Sequence, residues 1–366
     1  MEMRHLMARI DHSNKINKIR GDFVSKKRGG NRLKYQVEQA IKKVNMIGVS
    51  KKELRDAKVE TGIHSISQIK HALSVSQNFT AWAREQGVKD LFQLKRSHYR
   101  DYISHKQAEG VSNGHLINIE TNLRLLEKGM NGISREKGFQ ERNWIPKTRL
   151  IDTNSREKPQ DRSYSSEETK VYLNKLSANA RIGGVLQSAF GVRLREAANT
   201  KVAHIVEKEG RLFWEASEDK QALNAAQGVT KAGRGRLTPC RPEYEEQVRE
   251  FIQGKELGQY VVPVKYNTLK SAYNRAGMKG SHAFRHTYAR EMLRNELQTR
   301  GIEHEGRMMV QQMLENREAG YRKDHLITKE ERALYQEVSA AMDQIQDYLG
   351  HGSGRIDLAE VYLKGI

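Results

Sequence analysis

The stretch from 146 to 164 most constrains how this chain can fold. Pro146 and Pro159 stand there among Asn, Ser, Lys and Arg with no hydrophobic period, so it reads as a linker between two domains. Before it, residues 63–145 read as all-helical. Ile69, Ala72, Leu73, Ser76, Phe79, Trp82 and Ala83 form one apolar stripe that stops at Gly87. A second helix is expected over 97–107, ending near Gly110. A third carries Leu116, Ile119, Leu123, Leu126 and Met130. Helices with one apolar face bury it by closing a small bundle, which makes these aromatic and Met residues core.

After the linker, Ser165 and Glu168 have the spacing of a capping box. They open a second domain over 165–366, in which 211–216 and 236–240 are strand-like and the later part is helical again. The expected fold class is mainly α with a small antiparallel β-sheet (α+β). Residues 1–60 read as a basic N-terminal extension, with 16 Lys and Arg against 7 Asp and Glu. Within it, Lys26-Lys27-Arg28-Gly29-Gly30 suggests a flexible connection. Leu33, Val37, Ala40, Ile41 and Val44 recur at helical spacing, and Ser50 with Glu53 caps a further short helix.

Charge narrows the partner. Across 366 residues, 64 Lys and Arg face 45 Asp and Glu, a net charge of +19. Such a chain attracts polyanions, and neutralising phosphates releases condensed counterions. Nucleic acid, such as double-stranded DNA, and an acidic membrane surface are the partners that charge allows. No stretch reaches the length of apolar residues a transmembrane helix needs, and Glu2, Arg4, Arg9 and Asp11 stand where a signal peptide would be apolar. A cytoplasmic protein with no membrane partner is expected. The single cysteine, Cys240, excludes an intrachain disulfide and a cysteine-based zinc site.

Five short stretches of the second domain carry chemistry. They are Gly191-Val192-Arg193-Leu194-Arg195-Glu196, the basic run from Thr230-Lys231 to Pro239, Ser281-His282-Ala283-Phe284-Arg285-His286-Thr287, Tyr348-Leu349-Gly350-His351-Gly352, and Glu360-Val361-Tyr362-Leu363. Phosphodiester transfer needs such groups. Two guanidiniums neutralise the non-bridging oxygens, imidazole holds the phosphate and manages protons, and Lys protonates a departing oxygen. A phenol can attack phosphorus and conserve the bond as an ester. These cations supply the charge a metal would, so no cofactor and no metal is expected. His282 and His286 are spaced as a zinc pair is, but no third ligand is evident.

In this order the stretches resemble the tyrosine recombinase (phage integrase) family. Gly191-Val192-Arg193-x-x-Glu196 is similar to its Gly-Leu-Arg-x-x-Glu box, which implies Arg193 as the first catalytic arginine and Glu196 as the residue that orients it. His282-x-x-Arg285-His286-Thr287 is similar to its His-x-x-Arg-His-Thr box, implying His282 as acid/base and Arg285 as the second arginine. Leu349-Gly350-His351 implies His351 as a phosphate holder, and Tyr362 then becomes the nucleophile. The run after Thr230 resembles the hairpin with the catalytic lysine, which implies Lys231 as the general acid; Lys220 is its rival. Arg195 and Tyr348 are the rivals of Arg193 and Tyr362.

The resemblance further implies that 63–145 is a helical, SAM-like core-binding domain that clamps DNA together with the catalytic domain. It implies a site-specific recombinase or integrase of a mobile element, encoded by a bacterium or phage. Such an enzyme works through a 3′-phosphotyrosine, in a tetramer of its own protomers on two DNA sites, with accessory DNA-bending or directionality factors. A non-catalytic DNA-binding architectural protein and a type IB-like topoisomerase are the alternatives. Arg285 and His351 stand much farther apart than the family's spacing, so about 298–342 reads as a charged, mostly helical insertion. It is expected either to meet a partner protomer or to elaborate the surface.

Overall fold

Leu33, Val37, Ala40 and Ile41 fall on one face of a helix, and in the computed structural model Arg32–Lys43 (α1) is that helix with all four buried. The structure describes residues 32–217, 219, 229–230, 235–280 and 282–366. The chain divides into two units, Met1–Lys158 and Pro159–Ile366.

In the first unit α1 is followed by Lys51–Asp56 (α2), Ile66–Glu85 (α3), Arg96–Ala108 (α4) and Asn113–Glu136 (α5). Ser50, Ser65 and Ser112 cap α2, α3 and α5 by accepting backbone N–H groups three residues on, which satisfies donors a helix start leaves open. The core joins α1 to the later helices through Leu33, Val37, Ile41, Phe79, Tyr102, Leu123 and Leu126. Each such apolar side chain contributes about 1.5–3 kcal/mol on burial. The second half of the expected extension is therefore not an appendage: residues 33–44 are core of the helical unit. Its residues before 32 lie outside the described residues.

The expected linker is likewise divided. It holds only a short 3-10 turn at Thr153–Ser155. Its first half belongs to the first unit, where Ile151 is buried, Leu150 N–H donates to buried Glu120 at 2.8 Å, and Glu157 accepts from Asn113 and Gly114. Tyr164, at its other end, is core of the second unit.

The second unit begins with Ser166–Asn174 (α6), capped reciprocally by Ser165 and Glu168. Ala178–Phe190 (α7) and Leu194–Ala198 (α8) follow, then an antiparallel sheet of Ile205–Lys208 (β1), Arg211–Glu215 (β2) and Leu237–Pro239 (β3) in the order β1-β2-β3. Trp214 pairs with Ile205 on one side and Thr238 on the other. After the sheet come Glu245–Ile252 (α9), Tyr266–Arg275 (α10), Ala283–Thr299 (α11), Glu303–Glu318 (α12), Arg332–Tyr348 (α13) and Ile356–Tyr362 (α14). The chain is thus mainly helical with one small antiparallel sheet. Among the described residues no helix is long and apolar enough to cross a membrane.

The region expected as an insertion supplies α12 and the start of α13. Met309, Val310, Met313 and Leu314 of α12 share a core with Tyr288, Leu293, Leu349, Tyr362 and Leu363. That apolar face is structural and lies among the elements that carry the candidate site.

Candidate active site

The site is built on the turn between α7 and α8. Gly191 ends α7 in the left-handed region at φ +59°, and a Cβ there would lie 2.3 Å from the Tyr288 ring. A residue without a Cβ is therefore required, both for the backbone and for the space. The Gly191 carbonyl accepts from Arg285 Nη1 at 2.5 Å, and the Val192 carbonyl accepts from Gln187 at 3.0 Å. This pinned turn delivers Arg193 to the start of α8. Glu196 closes it by accepting the Arg193 backbone N–H at 2.6 Å and Arg193 Nη1 at 2.8 Å.

Three guanidiniums meet this one carboxylate. Arg236 reaches it with Nη2 at 2.6 Å and Nη1 at 3.3 Å, and Arg285 Nη1 lies 4.0 Å away. Burial alone raises the Glu196 pKa, but the charges of Arg236, Arg285 and Arg193 outweigh it and hold the carboxyl well below its usual range. The cluster therefore keeps two net positive charges at neutral pH. That matches the two negative charges of a pentavalent phosphorane.

Arg285, on α11, is wholly buried, and burial followed by the Arg236 charge pushes its pKa down to about 10. Besides Gly191 it donates to the Leu349 carbonyl and to His351 Nε2 at 3.2 Å. Arginine can only donate, so His351 Nε2 is the acceptor, and its Nδ1–H donates to Gln346 Oε1 at 2.7 Å. His351 is therefore neutral. Burial and the neighbouring Arg285 and Arg193 charges push its pKa down to about 3. His282 begins α11, where burial and the same two arginines bring its pKa to about 4. His286 also falls to about 4, chiefly through burial.

Tyr362, on α14, packs against these groups. Its ring lies 4.6 Å from the His286 ring, 5.2 Å from the His351 ring and 5.5 Å from the Arg285 guanidinium. Tyr348 is engaged elsewhere, its hydroxyl accepting from Gln344 at 2.6 Å. Arg195 is exposed and stacks on Tyr266 at 5.3 Å. Arg193, Glu196, Arg285, His351 and Tyr362 thus come together in one chain, with His282 at the head of the helix that carries Arg285. Lys231 and Lys220 lie outside the described residues. Among the described residues no three His, Cys, Asp or Glu side chains gather as a metal site.

Two members of this cluster have no motif role of their own. His286 follows Arg285 and sits one helical turn from His282, which points it inward. Arg236 lies two residues before Thr238, a buried residue of β3. Arg236 itself stands just before β3, and no local signal singles it out among its basic neighbours.

No family model matches the chain, and no curated protein matches it. Solved structures do resemble it. A lambda integrase tetramer bound to a Holliday junction is 14% identical, with 95% of this chain and 88% of that chain covered and a TM-score of 0.49. The XerH site-specific recombinase bound to difH substrate is 16% identical, with 85% and 78% covered and a TM-score of 0.45. The Tn1549 transposon integrase in complex with circular intermediate DNA is 12% identical, with 88% and 94% covered and a TM-score of 0.45. The structures this chain resembles are thus those of tyrosine recombinases and integrases.

Proposed function

We propose that this chain is a tyrosine recombinase, which cuts and rejoins DNA strands through a covalent protein–DNA ester. One observation carries the reading: the Tyr362 ring packs within 5.5 Å of the Arg285 guanidinium and of two imidazoles, beside a cluster with excess positive charge. A phenol surrounded in this way is suited to meet a phosphodiester.

In the proposed reaction the Tyr362 oxygen attacks the scissile phosphorus and gives up its proton. The bond from phosphorus to the 5′ oxygen breaks, leaving a 3′-phosphotyrosine and a free 5′-hydroxyl that has taken up a proton. Attack by a 5′-hydroxyl on the ester reverses the step and reseals a strand. Arg193, whose side chain is partly exposed, meets the non-bridging oxygens, and the buried Arg285 adds its charge from behind, through His351. Glu196 orients Arg193, His282 serves as acid and base, and His351 holds the phosphate. Lys231 is the proposed donor to the leaving oxygen. The phosphate charge offsets the arginines that keep His351 neutral, so its proton affinity rises as DNA binds. Exchange between two duplexes requires four cleavages, hence four copies of Tyr362 and a tetramer on two sites.

The test uses short duplexes enriched by binding from a random-sequence pool, then nicked beside each position so that the short cleaved product diffuses away. The wild-type chain is expected to accumulate a denaturant-resistant adduct on a subset of them. Tyr362→Phe is expected to form none while binding the same duplexes. An undiminished adduct in Tyr362→Phe removes Tyr362 as nucleophile, and no adduct from the wild type removes the recombinase reading. Relaxation of supercoiled plasmid without sequence preference would instead favour a topoisomerase.

A further inference from the structure

Arg236 stands at the end of the basic run after Thr230, but its guanidinium is fully engaged inside the protein. Its side chain is only 3% exposed. The guanidinium lies 4.8 Å over the Trp214 ring. Nε donates to Thr238 Oγ1 at 3.3 Å, and both terminal nitrogens donate to Glu196. Thr238 in turn donates to the Tyr348 carbonyl at 2.9 Å. Gly350 is so close that a Cβ there would lie 3.0 Å from Arg236 Nη1. Arg236 therefore braces two parts of the site, the carboxylate that holds Arg193 and the turn that delivers His351.

We infer that Arg236 is a positioning residue for strand cleavage, acting through Glu196 and the 349–351 turn and touching neither DNA nor the reacting atoms. Glu196 is buried and charged, and a carboxylate in that position seeks full compensation. With only Arg193 and Arg285 beside it, it would draw them to itself and neutralise the charge meant for phosphate. Arg236 compensates it from the side where Trp214 lies, in a two-pronged geometry that Lys cannot reproduce. Arg193 is then shared between Glu196 and substrate, and Arg285 remains on its backbone carbonyls and His351. This rests on the recombinase reading for what the two arginines bind, but the arrangement it assigns to Arg236 can be measured without turnover.

The experiment compares wild type, Arg236→Lys, Arg236→Met, Glu196→Gln and the Arg236→Met/Glu196→Gln double variant on an enriched duplex that gives the wild-type adduct. Single-turnover cleavage is expected to fall roughly 10- to 100-fold in Arg236→Met, the usual scale for a residue that orients a reacting group. The dissociation constant for the same duplex is expected to move less than about threefold, since no phosphate contact is lost. The double variant is expected to cleave no worse than Glu196→Gln alone, because the two changes act on one interaction. Arg236→Lys should fold with a normal melting temperature and cleave at an intermediate rate, which covers the case of an Arg236→Met chain that does not fold.

His351 read by NMR titration is the second measure, and it needs no activity. Removing the Arg236 charge should raise the His351 pKa. Three results overturn the inference: wild-type cleavage in both single Arg236 variants, equal proportional losses of affinity and cleavage, or an unmoved His351 titration in a folded Arg236→Met chain. A wild type with no adduct overturns the functional reading alone. The His351 titration then decides the arrangement by itself.

Discussion

The arginine cluster and the helix that carries Tyr362 face each other, yet they are held by opposite means. Arg285 has no exposed surface and is fixed by the carbonyls of Gly191 and Leu349 and by His351. Helix α14 has seven residues. Beyond the burial of Ala359, Tyr362 and Leu363, its tethers are largely exposed polar contacts. Arg317 pairs with Glu360 at 3.1 Å and Lys364 with Glu318 at 3.4 Å, and Arg290 donates to the Gly365 carbonyl. The difference has a physical logic. In the proposed reaction, charge that stabilises the transition state is most effective when fixed in advance, whereas the proposed nucleophile must advance on phosphorus and withdraw after resealing. Buried arginine is hard to displace, and surface ion pairs are worth about 0–1 kcal/mol each.

The rigid half breaks hardest. Arg285→Met is expected to abolish adduct formation and to destabilise the chain by about 3–5 kcal/mol, because it leaves Glu196 undercompensated and two buried carbonyls without their donor. Urea melts and the adduct assay check both. A variant of normal stability that still cleaves would show that the cluster is not the fixed half.

Protonation is the second way to disturb it. The pKa values of His282 and His286 are about 4 and that of His351 about 3 in the folded chain, below the ordinary imidazole value. The unfolded state therefore binds protons first as the pH falls, so stability is complete above about pH 6.5 and declines as the pH drops toward 4. For His282 and His286 together the loss by pH 5 is on the order of a few kcal/mol, and the more exposed His351 adds less because solvent screens it. Melting temperature against pH checks the slope, and it should flatten in His286→Gln. A flat wild-type profile between pH 6.5 and 5 would mean that these imidazoles are already accessible to solvent, and the contrast with α14 would lose half its basis.

This contrast was only partly legible in the chain. Gly191 to Glu196, His282 to Arg285 and Leu349 to His351 are local motifs, so the resemblance they carry could name the candidate residues. The helices at 66–85, 96–108 and 113–136 announce themselves by period, and Ser165 with Glu168 marks a helix start. What could not be read depends on distant partners. Nothing in residues 33–44 says that they pack with Phe79 and Leu123. Arg236 stands among basic neighbours and is told apart only by Glu196, 40 positions earlier. Helix α12 looks charged in sequence because Glu303, Glu305, Arg307, Glu315, Arg317 and Glu318 outnumber its apolar residues, and its burial is decided by α11, α13 and α14.

A smaller change tests the turn that holds Arg285. Gly191→Ala puts a Cβ into the Tyr288 ring at a left-handed backbone position. It should cost about 2–3 kcal/mol from strain and overpacking together. Because the Gly191 carbonyl holds Arg285, the cleavage rate should fall together with stability. Thermal melts and single-turnover cleavage measure the pair, and a loss of stability with an unchanged rate would mean that Arg285 is placed without this carbonyl.

The helix that carries Tyr362 should respond with the least energy and the most local signature. Arg317→Ala removes the exposed pair to Glu360 and should change global stability by less than about 1 kcal/mol. The same amount acting on a short helix alone changes its opening equilibrium about fivefold. Hydrogen exchange at the amides of 356–363 should therefore quicken by that factor, while the amides of α11 around Arg285 keep their protection. Lys364→Ala, which removes the pair to Glu318, should act in the same way, and the double variant should add the two effects. Equal acceleration in α11 and α14 would show that the tyrosine helix opens only when the arginine cluster does. Cleavage would then proceed without a separate movement of α14.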